Sequence, residues 1–346
     1  MLNLGHLATT VQRNCNISDA RHAGDFTLCV FLLKMREYYR WENEIPFTGA
    51  LPKEDVGAWL EERERMWDGL ESSPFEPLIL DTGVFDPFDA VHINRELIPR
   101  GYIYSGGYGR FRKPHFFLGD LARHERRNGF DIYVSSCEYA RDLEAPPAML
   151  QGRDIYVRQE SVRRYVWEKI EESRWSRNNT AMGRALAAYG FEGDTDAALE
   201  RMTDSETETM ILHEVGEGQV GERLGPEWNE MLSGLSHSRA EIMARAVRDL
   251  AADCLSTLPQ LLADANHAAL HFYFGTFAGM RKHLYPDAVA AYRAWVDDGR
   301  LTPLREIAAS GADRWLGVAR AALHAYRTDP AHAGDAIEHV ITQTTV

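Results

Sequence analysis

The sequence predicts an α+β protein, with a mixed α/β N-terminal domain over residues 1–190 and an all-α helical-bundle domain over residues 191–346. Three observations predict it. The strand signals GYIYSGG around Tyr102–Tyr104, DIYVSS from Asp131 and DIYVR from Asp154 all fall in the first half. The stretch GFEGDTDA then reads as a linker, rich in Gly and Asp. From Asp196 onward apolar residues recur at helical spacing between short connections, the pattern of antiparallel neighbouring helices.

Taken in order, Ser18 or Asp19 is placed to cap a first helix, FTLCVFLLKMREYYRWE, which Pro46 and Gly49 end. LPKEDVGAWLEERERMW is a second helix, with Trp59, Leu60 and Trp67 on its apolar side. A turn-rich stretch, SSPFEPLILDTGVFDPFDAV, leads to the first strand. PHFFLGDLARHERR is expected to be a helix with Pro114 in its first turn. The two DIYV strands are each followed by a helix-like run, CEYARDL and ESVRRYVWEKIEESRW. In the second half, helices are expected over SETETMILHEVGEGQVGERL, PEWNEMLSGL, SRAEIMARAVRDLAADCLSTL, PQLLADANHAALHFYFGTFAGMRKHL, PDAVAAYRAWVDDG and ADRWLGVARAALHAYR.

Composition narrows the function. A chain of 346 residues that is 45% hydrophobic and 26% charged is that of a globular protein. Its net charge of −14 argues against nucleic acid as a partner, because a phosphate backbone would be repelled. It also argues against a polybasic membrane attachment. No stretch reaches the ~20 apolar residues of a membrane span, and the N-terminus lacks a secretory pattern. The four cysteines lie far apart without a CxxC pair, which fits reduced thiols and a cytoplasmic location.

Two polar stripes in the helical half suggest a metal site. Asp264, His267 and His271 share a helix face at spacings of three, four and seven within an otherwise apolar run. Glu206, His213 and Glu217 fall on one stripe with Met210, Val220 and Leu224. Asp253 on a third helix is a further candidate. Carboxylates and imidazoles converging from facing helices suit iron or manganese. The competing reading is a satisfied hydrogen-bonded cluster without metal.

HEVGEGQVGERLGPEWNEML, with Glu214-Val-Gly216-Glu-Gly218, resembles the core helix of haem-oxygenase-like di-iron proteins. That resemblance implies a helical bundle, iron used on dioxygen, and Glu214 as a ligand. The family's histidine about ten residues later is replaced by Leu224, and its His–Asp–His helix has its nearest counterpart in Asp264, His267 and His271. Helix geometry favours Glu217 over Glu214 as partner of His213, and both remain candidates. The run Arg13–Glu42 is similar to a bacterial protein family of unknown function, which implies no residue roles.

In the first half, YIYSGGYGRFRKPHFF offers Arg110, Arg112 and Lys113 before an expected helix start, an arrangement able to hold a carboxylate or phosphate. A hairpin with its turn at SGG is the alternative favoured by the glycines. Cys15, His22 and Cys29 are seven apart but lack the close pairs of structural zinc. NCNISDARHAGD places Asp19, Arg21 and His22 as candidates for a pocket wall. The expected function is a metal-dependent enzyme that oxidises or hydrolyses a small organic substrate. The alternative is a non-enzymatic ligand-binding or interaction protein. The sequence assigns no oligomeric state.

Overall fold

The computed structural model describes residues 2–109, 113–175, 180–235 and 237–343. It is an α+β fold, with mixed helices and strands first and only helices after. By internal packing the chain divides into two compact units. One comprises Met1–Glu125, Ile132–Pro147 and Tyr156–Trp167; the other comprises Arg126–Asp131, Ala148–Ile155 and Glu168–Val346. From Glu168 onward the chain belongs to the helical unit, upstream of the boundary expected near residue 190.

The first unit opens with a helix, α1 (Leu4–His22), followed by α2 (Leu28–Glu42) and α3 (Lys53–Asp68). The start of α1 corrects the expected capping role of Ser18 and Asp19. Asn3 is the cap, accepting from the His6 N–H at 3.1 Å, while Ser18 and Asp19 are buried near the far end of α1. α1 also ends at His22 while Cys29 is exposed on α2, so Cys15, His22 and Cys29 do not line up on one helix.

A short hairpin of β1 (Leu78–Leu80) and β2 (Gly83–Phe85) precedes α4 (Ala90–Leu97). Then come β3 (Tyr102–Tyr108), β4 (Pro114–Asp120), β5 (Arg123–Arg127), β6 (Phe130–Ser135), β7 (Glu138–Arg141), β8 (Ala148–Gln151) and β9 (Asp154–Arg158). β3, β4 and β7 form one antiparallel sheet in that order; the other four strands pair in the order β5-β6-β9-β8.

PHFFLGDLARHERR is therefore two strands rather than a helix. β4 is central and buried along most of its length, so it carries a continuous apolar run that periodicity alone cannot separate from a buried helix. β5 alternates half-buried and exposed charged residues, as suits a sheet edge. CEYARDL is likewise the strand β7 and its exit. β3 continues straight through SGG, and the β3–β4 turn falls after Tyr108. Gly119 marks a shift in the β4–β7 register, where any Cβ would meet the Cys137 carbonyl at 2.6 Å.

α1 covers this sheet with Leu7, Val11 and Cys15 over Tyr104, Phe116, Leu118 and Ala140. Two buried asparagines satisfy backbone groups beside this core. Asn94 donates to the Tyr104 carbonyl at 2.7 Å and accepts from its N–H at 2.9 Å; Asn14 does the same with Glu76 at 2.8 and 2.7 Å.

After α5 (Gln159–Trp175) the helical unit contains α6 (Thr180–Tyr189), α7 (Thr195–Leu224), α8 (Glu227–Gly234) and α9 (Arg239–Ala252). A π-helical segment, Asp253–Thr257, leads into α10 (Leu258–Ala263). α11 (His267–Thr276), α12 (Gly279–Leu284), α13 (Pro286–Asp298), α14 (Thr302–Thr328) and α15 (Ala333–Gln343) complete it. Its core gathers Trp228, Met243, Val247, Leu250, Trp315 and Ile337 among others.

Two expected helices depart from regular α geometry, for local reasons. Pro259 has no N–H to donate and its ring crowds the carbonyl four residues earlier, so the turn before it widens to π geometry. Between α10 and α11, Ala265 is left-handed with φ 51° and Asn266 caps α11 by accepting from the Ala269 N–H at 3.1 Å.

α7 carries glycines with opposite burdens. A Cβ at Gly216 would lie 2.6 Å from the Ala252 carbonyl oxygen, and one at Gly218 would strike the Phe130 ring. Gly221 has open space around it. Gly216→Ala is expected to lower stability by about 1–3 kcal/mol, while Gly221→Ala raises it by up to about 1 kcal/mol. Urea denaturation of the two variants checks this opposition of sign.

A candidate histidine and carboxylate centre

The helical unit brings ionisable groups together where α7 faces α9 and the π segment. His213 Nδ1 lies 2.7 Å from Asp253 Oδ1, and His213 Nε2 lies 3.4 Å from Glu217 Oε1. Asp253 Oδ2 accepts from the Tyr273 hydroxyl at 2.8 Å and from Arg281 at 3.1 Å. Arg248 donates to Glu217 at 2.6 Å and lies 3.4 Å from Asp249 Oδ1. Among the described residues, His213, Glu217 and Asp249 are the set whose donor atoms all lie within 4.8 Å of one another.

Asp253 is fully buried, whereas His213, Glu217 and Asp249 are half-buried and reach solvent. A buried acid thus anchors the imidazole from behind, leaving the ring and the carboxylates of Glu217 and Asp249 at an accessible surface. Electrostatics follow the geometry. Burial alone would lower the His213 pKa, yet the Asp253 charge and hydrogen bond, with Glu217, raise it well above the ordinary value. Burial opposes Glu217 ionisation, but Arg248 and His213 bring its pKa down to about 2. Glu214 goes the other way, pushed up to about 7 by burial and by the Glu217 charge. Burial and then Glu217 raise Asp249 as well. Asp253 stays below its usual range despite burial, because His213 and Arg281 hold its charged form.

The predicted residues divide. Helix geometry favours Glu217 over Glu214 facing His213, and Glu217 is the one within reach. Leu224 is buried in the apolar core. Glu206 lies two turns earlier on α7, about 10 Å along the axis. It is buried near Tyr189 and Thr209, and burial lifts its pKa to about 8.

Asp264, His267 and His271 do not share a helix face, because the chain breaks between α10 and α11. Asp264 caps the end of α10 and accepts from Gln260 Nε2 at 2.9 Å. His267 and His271 sit against Trp295, with ring centroids at 5.3 and 4.6 Å, and His271 Nδ1 meets the Tyr292 hydroxyl at 3.0 Å. They line an aromatic face and none of the three joins the centre. Asp249 was missed by sequence reasoning; its spacing of four from Asp253 in RDLAAD was the available signal.

The first unit holds a second ionic cluster, closed to solvent. Lys113 Nζ lies 3.5 Å from Asp19 Oδ1, and Asp19 Oδ2 accepts from the Leu143 N–H at 2.8 Å. Asp142 is fully buried and accepts from the Ala145 N–H at 2.7 Å. Arg158 pairs with Glu138, which also accepts from Ser161 Oγ at 2.6 Å. Burial pushes Asp19 up to about 7 against the pull of Lys113. Lys113 is therefore committed to an internal pair, and the segment after it enters a strand, so no helix N-terminus stands there for an anion. Arg110 and Arg112 lie outside the described residues. Arg21 and His22 are near the surface: Arg21 donates to the Glu71 carbonyl at 2.9 Å, and His22 meets Asp25 at 3.1 Å.

The fold and this centre define an α+β protein whose helical half presents one imidazole and two carboxylates beside two arginines. Residues 6–158 match the N-terminal domain model, and residues 163–344 the C-terminal domain model, of the family of unknown function DUF6866. The chain belongs to that family. No curated protein and no solved structure matches it. The two glycines that carried the haem-oxygenase-like resemblance have a packing explanation here, one against Ala252 and the other under Phe130.

Two stability experiments probe these groups. Folded Glu206 keeps its proton up to about pH 8, whereas the unfolded chain releases it near 4.5. Stability therefore falls as pH rises through that window, by up to about 1.4 kcal/mol per pH unit. Glu206→Gln is expected to remove this part of the decline, read from thermal midpoints at intervals across it. Lys113→Met strands Asp19 and Asp142 without their nearest cation and is expected to cost about 3–5 kcal/mol. Adding Asp19→Asn should restore part of that loss in urea denaturation.

Proposed function

We propose that the helical unit binds a divalent transition-metal ion, iron or manganese, through His213 Nε2, Glu217 and Asp249, and that the protein is a metal-dependent enzyme acting on a small organic substrate. The observation that carries this reading is the paired use of His213. Its Nδ1 is held by a buried carboxylate, its Nε2 lies 3.4 Å from Glu217, and Asp249 of a second helix offers an oxygen within 4.8 Å of both residues' donor atoms. An orienting acid behind an imidazole is the usual support of a metal-ligating histidine.

Nitrogen and oxygen donors of this kind suit iron, manganese or zinc. Three protein ligands leave positions for water or substrate. The bound ion would supply Lewis acidity or dioxygen activation, for hydrolysis or oxidation. The chain's own residues have separate tasks. Asp253, fixed by Tyr273 and Arg281, keeps the proton on His213 Nδ1 and leaves Nε2 as the ligand. Arg248 neutralises Glu217 and must turn aside for that carboxylate to take a cation. His213 must give up its second proton, so metal affinity rises with pH.

A second reading has its own observation. The contacts of Arg248 with Glu217 and of Arg281 with Asp253 already balance much of the charge, as in an interaction or ligand-binding protein with a polar cluster. Metal analysis by mass spectrometry separates the two, on protein purified without chelator and then offered Fe(II) or Mn(II). The first reading expects close to one ion per chain, lost in His213→Ala and in Asp249→Asn but kept in the His267→Ala, His271→Ala double variant. Folded protein that takes up neither ion overturns the first reading and leaves the second.

A further inference from the structure

The helical unit holds a cation whose partners are the same groups assigned to the metal. Arg248 of α9 donates from Nη2 to Glu217 Oε1 at 2.6 Å, and the same nitrogen lies 3.4 Å from Asp249 Oδ1. Glu217 Oε1 is also the oxygen that lies 3.4 Å from His213 Nε2. The guanidinium therefore competes with any ion for these two carboxylates. Its Nε is buried without a hydrogen-bond partner, while the side chain as a whole is 22% exposed and reaches solvent. Arg281 is placed differently. It donates to Asp253 Oδ2, on the Nδ1 side of the His213 ring, and keeps that partner whatever occupies the Nε2 side.

A divalent ion on Glu217 and Asp249 takes the lone pairs that Arg248 uses and repels its charge. An arginine does not lose its proton, so that charge has to be neutralised in a new place. The loaded centre sets the ion and two guanidiniums against the carboxylates of Glu217, Asp249 and Asp253, which leaves one positive charge in surplus. Glu214 is the chain's own competitor for it, half-buried and close enough to act on Arg248 electrostatically. Yet Arg248 hydrogen-bonds Glu217 and Asp249 and not Glu214. An external carboxylate is the better match. It is planar and accepts two parallel N–H bonds from a guanidinium, including the Nε–H that lacks a partner here. It also brings the single negative charge that the count requires, where a phosphate monoester brings about two.

We infer that the substrate of this centre carries a carboxylate, and that Arg248, released from Glu217 when the ion binds, receives it. The inference rests on the metal reading above and goes on to name the substrate class. It also sets an order. The metal-free protein keeps Arg248 on Glu217 and Asp249, so the acid binds after the ion.

Acetate is a direct probe of this site in the full chain loaded with Mn(II), because the paramagnetic ion broadens the methyl resonance of acetate held beside it. Wild type is expected to broaden acetate saturably and to leave neutral acetamide sharp. Metal-free wild type is expected to bind no acetate in saturation-transfer spectra. Arg248→Met is expected to take up Mn(II) at least as tightly as wild type and to bind acetate roughly tenfold more weakly, the usual loss of a charge-assisted hydrogen bond. Arg248→Lys, which keeps the charge without the planar fork, should recover part of that affinity. Circular dichroism checks that both variants fold. Mn(II)-loaded Arg248→Met that holds acetate as wild type does overturns the inference and leaves the metal reading standing. Loss of Mn(II) from Arg248→Met does the same, as does inorganic phosphate that displaces acetate at lower concentration. So does acetate that stays sharp in loaded wild type and broadens only in Glu214→Gln, where the arginine has settled on Glu214. Wild type that takes up no Mn(II) overturns the metal reading and this inference together.

Discussion

The hydrogen bond between His213 and Asp253 is the constraint on which the centre depends. Asp253 is a carboxylate without access to water, tolerable only because an imidazole, a phenol and a guanidinium surround it. Those partners come from α7, α11 and α12, so one buried charge ties three helices to the π segment. In return the acid fixes the tautomer and the ring plane of His213. Everything at the accessible side of the centre, including the approach of Glu217 and Asp249, is arranged around a ring that cannot turn.

The two units use buried charge differently. In the first, Asp19, Lys113, Glu138, Asp142 and Arg158 are almost wholly enclosed, and the pair of Asp19 with Lys113 joins α1 to the start of β4 rather than presenting anything to solvent. Such interiors contribute little net stability over an apolar core but penalise alternative packings heavily. In the helical unit Asp253 is just as enclosed, but His213, Glu217 and Asp249 stop at a half-buried surface. That difference in access is why the cluster of the helical unit carries a functional reading and that of the first unit a structural one.

The fold class was legible because the division between strand-bearing and purely helical sequence is strong and local. One error lies where a segment is buried on all sides. PHFFLGD holds an apolar run, Phe116–Leu118, buried because β4 is flanked by two strands and covered by α1, and a run buried on both faces has no period to read. The polar end of α1 misled in the opposite direction: Ser18 and Asp19 look like caps, but their partners are Pro114 and Lys113, nearly a hundred residues away. The centre was half legible. His213 and Glu217 stand on one face of one helix, which spacing reveals. Asp249 belongs to another helix, and its part depends on how α7 and α9 meet. Asp264, His267 and His271 matched a helical template that a single left-handed residue, Ala265, interrupts.

The π segment has a consequence for how this centre can vary between related chains. An α-helix advances 100° per residue, and a π turn absorbs an extra residue without lengthening the helix in proportion. Asp253 opens that turn and Pro259 follows its end, so the acid's bearing toward His213 and the phase of α10 are set by the same five residues. Loss of one residue there would rotate α10 relative to α9 while shifting the acid's neighbours. Compensation at one end would undo the other. Length, more than residue type, is then the feature that related sequences must hold constant between Ala252 and Leu258.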